Sequence, residues 1–449
     1  MNRRTVIGIV VAGVALAFAG RYIGRDNNQP STSNSGSTSS SKPASSIALP
    51  PGSGKATVVV FDDGNPVRNL VAVFSDESGA IVGTSSTAKD GSASGPMPAR
   101  GMITVAKTSS PRHLVTITGV MPGDRVVVGE EEDEGGPGIV SCRIAITIPG
   151  AYPKAARHVV SVGVNDSEAG DPSAPVVVAA LKRFVVDGKV RAIARALDAE
   201  GKVLAFSQTF VEKCVSSDAG AIEAKLPAWS TDLRTFVVEA SSADKGTLEG
   251  KLTLVPAGSD GFSFGPRETP LGPASKLELL APRPLGTRGR MKLEVKYDDG
   301  RDHASLEERH DDMKETTKVV LAERMLPRVR DASIDGQGTA RPSVRWTSTA
   351  PLTSADAIVA RLVWAETREH VWTIIAPPDS APRLTVPALP DELATWRPDM
   401  RTITPAVAAI ETSFWNGYAD VKKKGLDSLE DPPGGDTVLR TSITGALDF

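Results

Sequence analysis

Few residues in this 449-residue chain are suited to chemistry. Cys142 and Cys214 are its only thiols, and His113, His158, His303, His310 and His370 its only imidazoles. That supply is too small for a zinc cluster or an iron–sulfur site. Neither cysteine stands in a Cys-x-x-Cys context, so redox catalysis is not expected. The two are expected to pair with each other, with two separate buried thiols as the alternative. Closing a loop of about 70 residues stabilises a fold by about 4 kcal/mol in the chain-entropy description.

Other catalytic patterns fail on spacing. Gly91-Ser92-Ala93-Ser94-Gly95 has Ala where a nucleophile elbow needs Ser. Asp298, Asp299, Asp302, His303, His310, Asp311 and Asp312 form no His-Glu-x-x-His arrangement, and a hairpin followed by a charged surface segment accounts for them. Glu130-Glu131-Glu132-Asp133-Glu134 lacks the alternating oxygen spacing of a calcium loop and reads as a solvated inter-domain connection. Pro51-Gly52-Ser53-Gly54-Lys55 precedes a strand and has Leu49 where a phosphate-binding loop has its first Gly. His113, His158 and His370 each sit in or beside strand-like runs, as edge or surface residues. No catalytic residue, cofactor ligand or metal ligand is assigned, and no enzyme activity is expected.

Aromatic residues offer a different chemistry. Five of the six Trp, at 346, 364, 372, 396 and 415, fall after residue 331. Trp346 and Trp364 share strand faces with Val344 and Leu362, which assigns them to a core. Trp372, Trp396 and Trp415 are the candidate platform for a sugar or peptide, because a flat ring stacks on apolar ligand faces.

The elements that must position these residues are strands. Acidic-Gly pairs at Asp63-Gly64, Asp90-Gly91, Asp187-Gly188, Glu200-Gly201 and Asp299-Gly300 separate short β-branched runs. In each, Gly supplies the positive φ of a tight turn. Runs at 57–61, 103–106, 126–128, 176–179 and 190–194 have strand length. Val140, Cys142, Ile144, Ile146 and Ile148 alternate with Ser141, Arg143 and Thr147, placing one set on a buried face. Only 305–314 and 419–429 read as polar helices. Turn signals every 8 to 12 residues point to an all-β fold of tandem antiparallel sandwiches.

Residues 1–19 carry Arg3 and Arg4, an uncharged apolar stretch over 6–18, and Ala17-Phe18-Ala19. These are the parts of a signal peptide, either cleaved after Ala19 or retained as an anchor. The Arg pair alone is a weak twin-arginine signal, and no Cys is near enough for a lipoprotein. Residues 20–55 are a Ser/Thr/Pro/Gly linker that cannot bury enough apolar surface to fold. Lys plus Arg is 51 against 54 for Asp plus Glu, a net charge of −3, which argues against nucleic acid as a partner.

Asp63-Gly64-Asn65-Pro66-Val67, followed by Val71, Val73, Asp76, Gly79, Thr87, Asp90-Gly91 and a strand at 102–106, resembles the carboxypeptidase-regulatory-like (transthyretin-like) and collagen-adhesin B-type modules of exported bacterial proteins. The resemblance covers about 50 residues. It implies an immunoglobulin-like or transthyretin-like sandwich used as a stalk or interaction module, with no catalytic residue to carry over. The adhesin form often carries a Lys–Asn crosslink, but Lys55 has no convincing Asn partner and the bond is not expected. Ser343-Val344-Arg345-Trp346 and the Trp-bearing strands after it resemble a fibronectin type III sandwich in architecture.

The expected organisation is therefore a leader (1–19), a linker (20–55), a carboxypeptidase-regulatory-like sandwich (56–136), a second sandwich (137–260), an irregular or small β region (261–330) and a fibronectin-like sandwich (331–449). The expected function is that of a non-catalytic exported protein of a bacterial envelope, periplasmic, surface-attached or secreted, acting on an envelope protein or glycan. The alternative is a carbohydrate- or peptide-binding protein using its Trp-rich end. Contact with a membrane is expected only through the first 19 residues.

Overall fold

The structure is a computed structural model that describes residues 54–449 apart from 63, 108–111, 130–139, 164, 182–184, 215–219, 257–260, 299, 366–368, 399–400, 430–432 and 448–449. The leader, most of the linker, the acidic loop at 130–138, Asp63 and Asp299 lie outside the described residues. What is described forms one compact unit of strands.

Four sandwiches follow one another, each with a three-stranded and a four-stranded sheet, the smaller one gaining a two-residue fourth strand in repeat 1. Repeat 1 holds β1 (Gly54–Asp62), a two-residue β2 (Asn65–Pro66), β3 (Val71–Asp76), β4 (Ile81–Ser86), β5 (Ser92–Met97), β6 (Gly101–Lys107), β7 (Arg112–Val120) and β8 (Arg125–Val128). Repeat 2 holds β9 (Val140–Thr147), β10 (Arg157–Val162), β11 (Asn165–Glu168), β12 (Val176–Leu181), β13 (Val190–Leu197), β14 (Val203–Val211) and β15 (Ile222–Lys225). Repeat 3 holds β16 (Leu233–Ser241), β17 (Gly246–Leu254), β18 (Phe262–Leu271), β19 (Ser275–Pro282), β20 (Gly289–Tyr297), β21 (Asp302–His310) and β22 (Thr316–Val320), then the one-turn α1 (Leu321–Arg324). Repeat 4 holds β23 (Val329–Asp335), β24 (Ser343–Ser348), β25 (Ala357–Ala365), β26 (Glu369–Ala376), β27 (Arg383–Thr385), β28 (Thr404–Thr412), α2 (Tyr418–Lys424) and β29 (Thr437–Thr444).

The pairing scheme recurs. In repeats 1 to 3 the small sheets run β5-β1-β8, β12-β9-β15 and β19-β16-β22, with the central strand antiparallel to the one named before it and parallel to the one named after it. The large sheets run β4-β3-β6-β7, β11-β10-β13-β14 and β18-β17-β20-β21. Repeat 4 keeps the large sheet as β26-β25-β28-β29, and its small sheet is β23-β24-β27. There the flanking strand precedes β24 through a short turn and must run antiparallel to it, whereas β8, β15 and β22 cross over from the opposite sheet and arrive parallel. Of the two forms expected for 261–330, irregular or small β, the residues are β: they supply β18 to β22, which complete a sandwich begun by β16 and β17.

Three of the large sheets fuse. β7 pairs in parallel with β26, and β21 pairs antiparallel with β29, giving one twelve-stranded sheet through repeats 1, 4 and 3. Its middle is covered on both faces. Phe74, Ile103, Val105, Ile117, Val359, Ala408 and Trp415 pack in one core, and Val73, Leu114, Ile358, Trp364, Trp372 and Val407 in the other. Both cores mix residues from repeats 1 and 4, so the boundaries expected at 136 and 331 do not separate independent cores. Burial on both faces explains why β25 and β28 read as nearly continuous apolar runs without alternation.

Local chemistry accounts for the turns. Gly64, Gly91, Gly188, Gly201 and Gly300 all take positive φ, as their turn positions require. Gly79 adds a close approach: at φ +81° a Cβ would stand 3.0 Å from the Pro387 Cα and 2.5 Å from Arg341 Nη2. The helix expected at 419–429 appears as α2, whereas 305–314 is corrected to strand β21 and the turn after it.

Candidate functional site

The cysteines are joined by a disulfide, Cys142 to Cys214, with Cα atoms 5.2 Å apart. Cys142, Ile144, Ile146 and Ile148 are buried together, as their alternation requires, and Cys214 lies beside them in the core of repeat 2. That core is small, and the bond ties its first strand to the segment after β14.

The three candidate platform rings do not face solvent, and that expectation is corrected. Trp372 is fully buried, and Trp396 and Trp415 are 7% and 5% exposed. Trp372 Nε1 donates to Thr116 Oγ1 at 2.8 Å across the β7–β26 seam. Trp396 packs edge-on against His370, with the Arg112 guanidinium 5.3 Å from its ring centre. His370 in turn stacks on Trp364 at 5.3 Å. Trp415 lies in the core shared by repeats 1 and 4, edge-on to Phe414. The aromatic chemistry is used to hold repeat 4 against repeat 1.

Polar residues reinforce the same seam. His113 Nε2 is 2.8 Å from Thr373 Oγ1, with the hydrogen assigned by tautomer. Burial, then the charges of Lys107 and Arg361, push the His113 imidazole down to about 4, so it is neutral at pH 7. The Tyr418 hydroxyl donates toward Thr118 O and Ile375 O, both at 2.9 Å, and burial raises its pKa. Lys422, buried on α2, forms an ion pair with Asp124 of repeat 1. None of these roles was legible from spacing, because the partners in repeat 1 and repeat 4 lie about 250 to 300 residues apart along the chain.

The Asp/His cluster separates along β21. Asp302 is buried against Arg328, 2.8 Å away, where it anchors the 3–4 seam. His310 lies 3.5 Å from Asp436 and 3.9 Å from Glu308, on the rim of a cleft of about 430 Å³ in repeat 3. Glu308 is engaged by Arg324, and the Asp311 amide and His310 lower the Asp436 pKa. Both carboxylates are thus engaged by neighbouring side chains. A second cleft of about 420 Å³ crosses the 3–4 seam, with Leu429, Leu439, Ile443 and Leu447 on one side and Arg290, Lys292 and Glu307 on the other. Among the described residues no group of three or more His, Cys, Asp or Glu side chains is placed to hold a metal ion. No helix among them is long and apolar enough to cross a membrane.

The apolar core of repeat 3 extends to Val159, Ile193, Leu197 and Val203 of repeat 2, and a buried cation that sequence reading did not single out lies at the same boundary. Arg195, in the apolar run of β13, donates to Asp166 and Ser161 at 2.8 Å and to the Ser263 carbonyl, and covers the Phe264 ring. An Arg breaking a buried run was the available signal.

No protein-family model matches the chain, and no curated protein sequence matches it. Among solved structures it is similar to the Bacillus anthracis TIE protein, at 12% identity over 60% of this chain and 49% of that one, with a TM-score of 0.15. It is also similar to a putative adhesin from Bacteroides ovatus, at 9% identity over 39% and 85% of the two chains and a TM-score of 0.16. BcpA, the major pilin subunit of Bacillus cereus, is similar at 11% identity over 60% and 98%, with a TM-score of 0.14. The chain thus spans about half the length of the first of these proteins, and no residue or role is carried over from any of them.

Proposed function

We propose that this chain is a non-catalytic, exported bacterial envelope protein whose work is mechanical, done by a rigid multi-sandwich body. The observation that carries this reading is the seam between repeats 1 and 4. It takes up His113, His370 and all three rings of the candidate platform, Trp372, Trp396 and Trp415. The disulfide supports an oxidising compartment, because cytosolic thiols are kept reduced. Strand order supports reading repeat 1 as a carboxypeptidase-regulatory-like module and repeat 4 as a fibronectin-like one.

Cell fractionation with N-terminal sequencing of the mature protein tests the proposal. The expected product lies outside the cytoplasm with Cys142 and Cys214 oxidised, starting after Ala19 or keeping its leader as an anchor. A cytoplasmic product with both thiols reduced would refute it.

A further inference from the structure

The last strand of each large sheet meets a different fate. In repeats 1, 3 and 4 that edge is sealed by another repeat, through β7 on β26 and β21 on β29. In repeat 2 the corresponding strand is β14, and among the described residues no strand pairs with its outer side. Only its first half is covered, by the exchange of both backbone hydrogen bonds between Phe206 and Ser230, at 2.9 and 2.7 Å. Hydrogen-bonding direction alternates along a strand, so with Phe206 facing out, Gln208 and Phe210 also direct their N–H and C=O outward.

Nothing in its sequence protects this edge. β14 reads Val-Leu-Ala-Phe-Ser-Gln-Thr-Phe-Val, with no charge, no Pro and no Gly. Natural edge strands are normally blunted by such residues. The contrast lies within the molecule: edge strand β18 carries Pro266, Arg267, Glu268 and Pro270. The other uncharged edge of repeat 2, β12, is capped by Asn165 Nδ2 on Ala179 O at 2.9 Å and bulges at Ala180. On β14, Phe210 is 58% exposed, the highest among the exposed large hydrophobic side chains. The Arg191 guanidinium lies 4.5 Å from its ring centre, and Arg191 Nη1 bonds Gln208 Oε1 at 3.1 Å.

We infer that β14 is a self-association edge, and that two copies of this chain pair their β14 strands antiparallel about a twofold axis at Thr209. The occupant follows from the molecule's own precedent: β21 and β29 are equivalent strands of two sandwiches, already paired antiparallel over eight residues from Asp302↔Thr444 to Arg309↔Thr437. The register follows from the cover at Phe206 and at Ser207, whose Oγ donates to Pro227 O at 2.7 Å, which leaves the outward backbone groups of Gln208 and Phe210 open, centred on Thr209. A twofold at Thr209 sets Gln208 opposite Phe210 of the second copy and leaves no open position unpaired. Such an isologous contact closes on itself and yields a dimer.

Full-length oxidised protein carrying Thr209→Cys tests this, because the two new thiols would form a non-hydrogen-bonded pair with Cα atoms about 4.5 Å apart, within disulfide reach. At micromolar concentration and mild oxidation, non-reducing electrophoresis and peptide mapping should show a covalent dimer linked through position 209 of both copies, with Cys142–Cys214 intact. The parallel variant Glu268→Cys on β18 should remain monomeric. Sedimentation velocity of the chain without an added cysteine should show a dimer that Gln208→Pro abolishes, since this change removes an outward N–H and no inner ladder bond. A monomeric wild type, or equal crosslinking of the Thr209→Cys and Glu268→Cys variants, would overturn the inference.

Discussion

Repeat 2 and the joined repeats 1 and 4 solve the same problem in opposite ways. Each sandwich of this size has a small core, and small cores stand alone poorly. Repeats 1 and 4 remove the difficulty by fusing their large sheets, so that two apolar cores run through both and five Trp side chains are buried between sequence-distant strands. Repeat 2 joins no other sheet by strand pairing among the described residues, and it is the one that holds the disulfide. Burial over a wide seam and a covalent constraint on the unfolded chain are alternative sources of stability here.

That contrast can be broken from either side. The largest effect is expected from Trp372→Ala, which empties a fully enclosed site and removes the indole N–H that Thr116 Oγ1 accepts. A loss of about 5 kcal/mol is expected, read as a lowered urea midpoint for strands β7 and β26 with repeat 2 unchanged. Replacing both cysteines, Cys142→Ala with Cys214→Ala, should cost about 4 kcal/mol. Here the loss should fall on repeat 2, with the 1–4 seam keeping its midpoint. If either variant unfolds both regions together, the two are not separately stabilised.

Acid should act on the seam first. His113 has a folded pKa of about 4 against 6.5 for an unperturbed imidazole. The unfolded chain therefore binds a proton that the folded seam refuses. Stability from this residue is complete above pH 6.5 and falls as pH drops toward 4, by up to about 3 kcal/mol. His113→Gln should flatten that part of the profile in a pH series of thermal midpoints. The smallest effect is expected at Gly300, where φ is +68° and a Cβ would meet no atom within 4 Å. Gly300→Ala should cost about 1 kcal/mol from backbone conformation alone, confined to the β20–β21 hairpin.

How much of this was legible depended on the distance between partners. Runs at 57–61 and 190–194, the Cys142 alternation and the turn glycines are local signals, and the structure bears each of them out. The segment 305–314 misled because Leu306, Glu307, Glu308 and Arg309 are good helix formers, yet β20 and β29 claim them from either side. The Trp residues misled for a related reason. Trp396 and Trp415 were expected to offer flat faces to a ligand, but the surfaces that cover them come from elements far away in the chain, as Arg112 does for Trp396. The recurrence of one pairing scheme through repeats 1 to 3, with its large sheet kept in repeat 4, also stayed hidden, because each copy meets it with different side chains and turns.

Native-state hydrogen exchange of the intact protein tests the fused sheet most directly. Amides of β7 and β26 form one parallel ladder from His370↔Arg112 to Ile375↔Ile117, so they should share a single opening free energy and lose protection together as denaturant is raised. Independent exchange of the two strands, with β26 remaining protected after β7 has opened, would contradict the account.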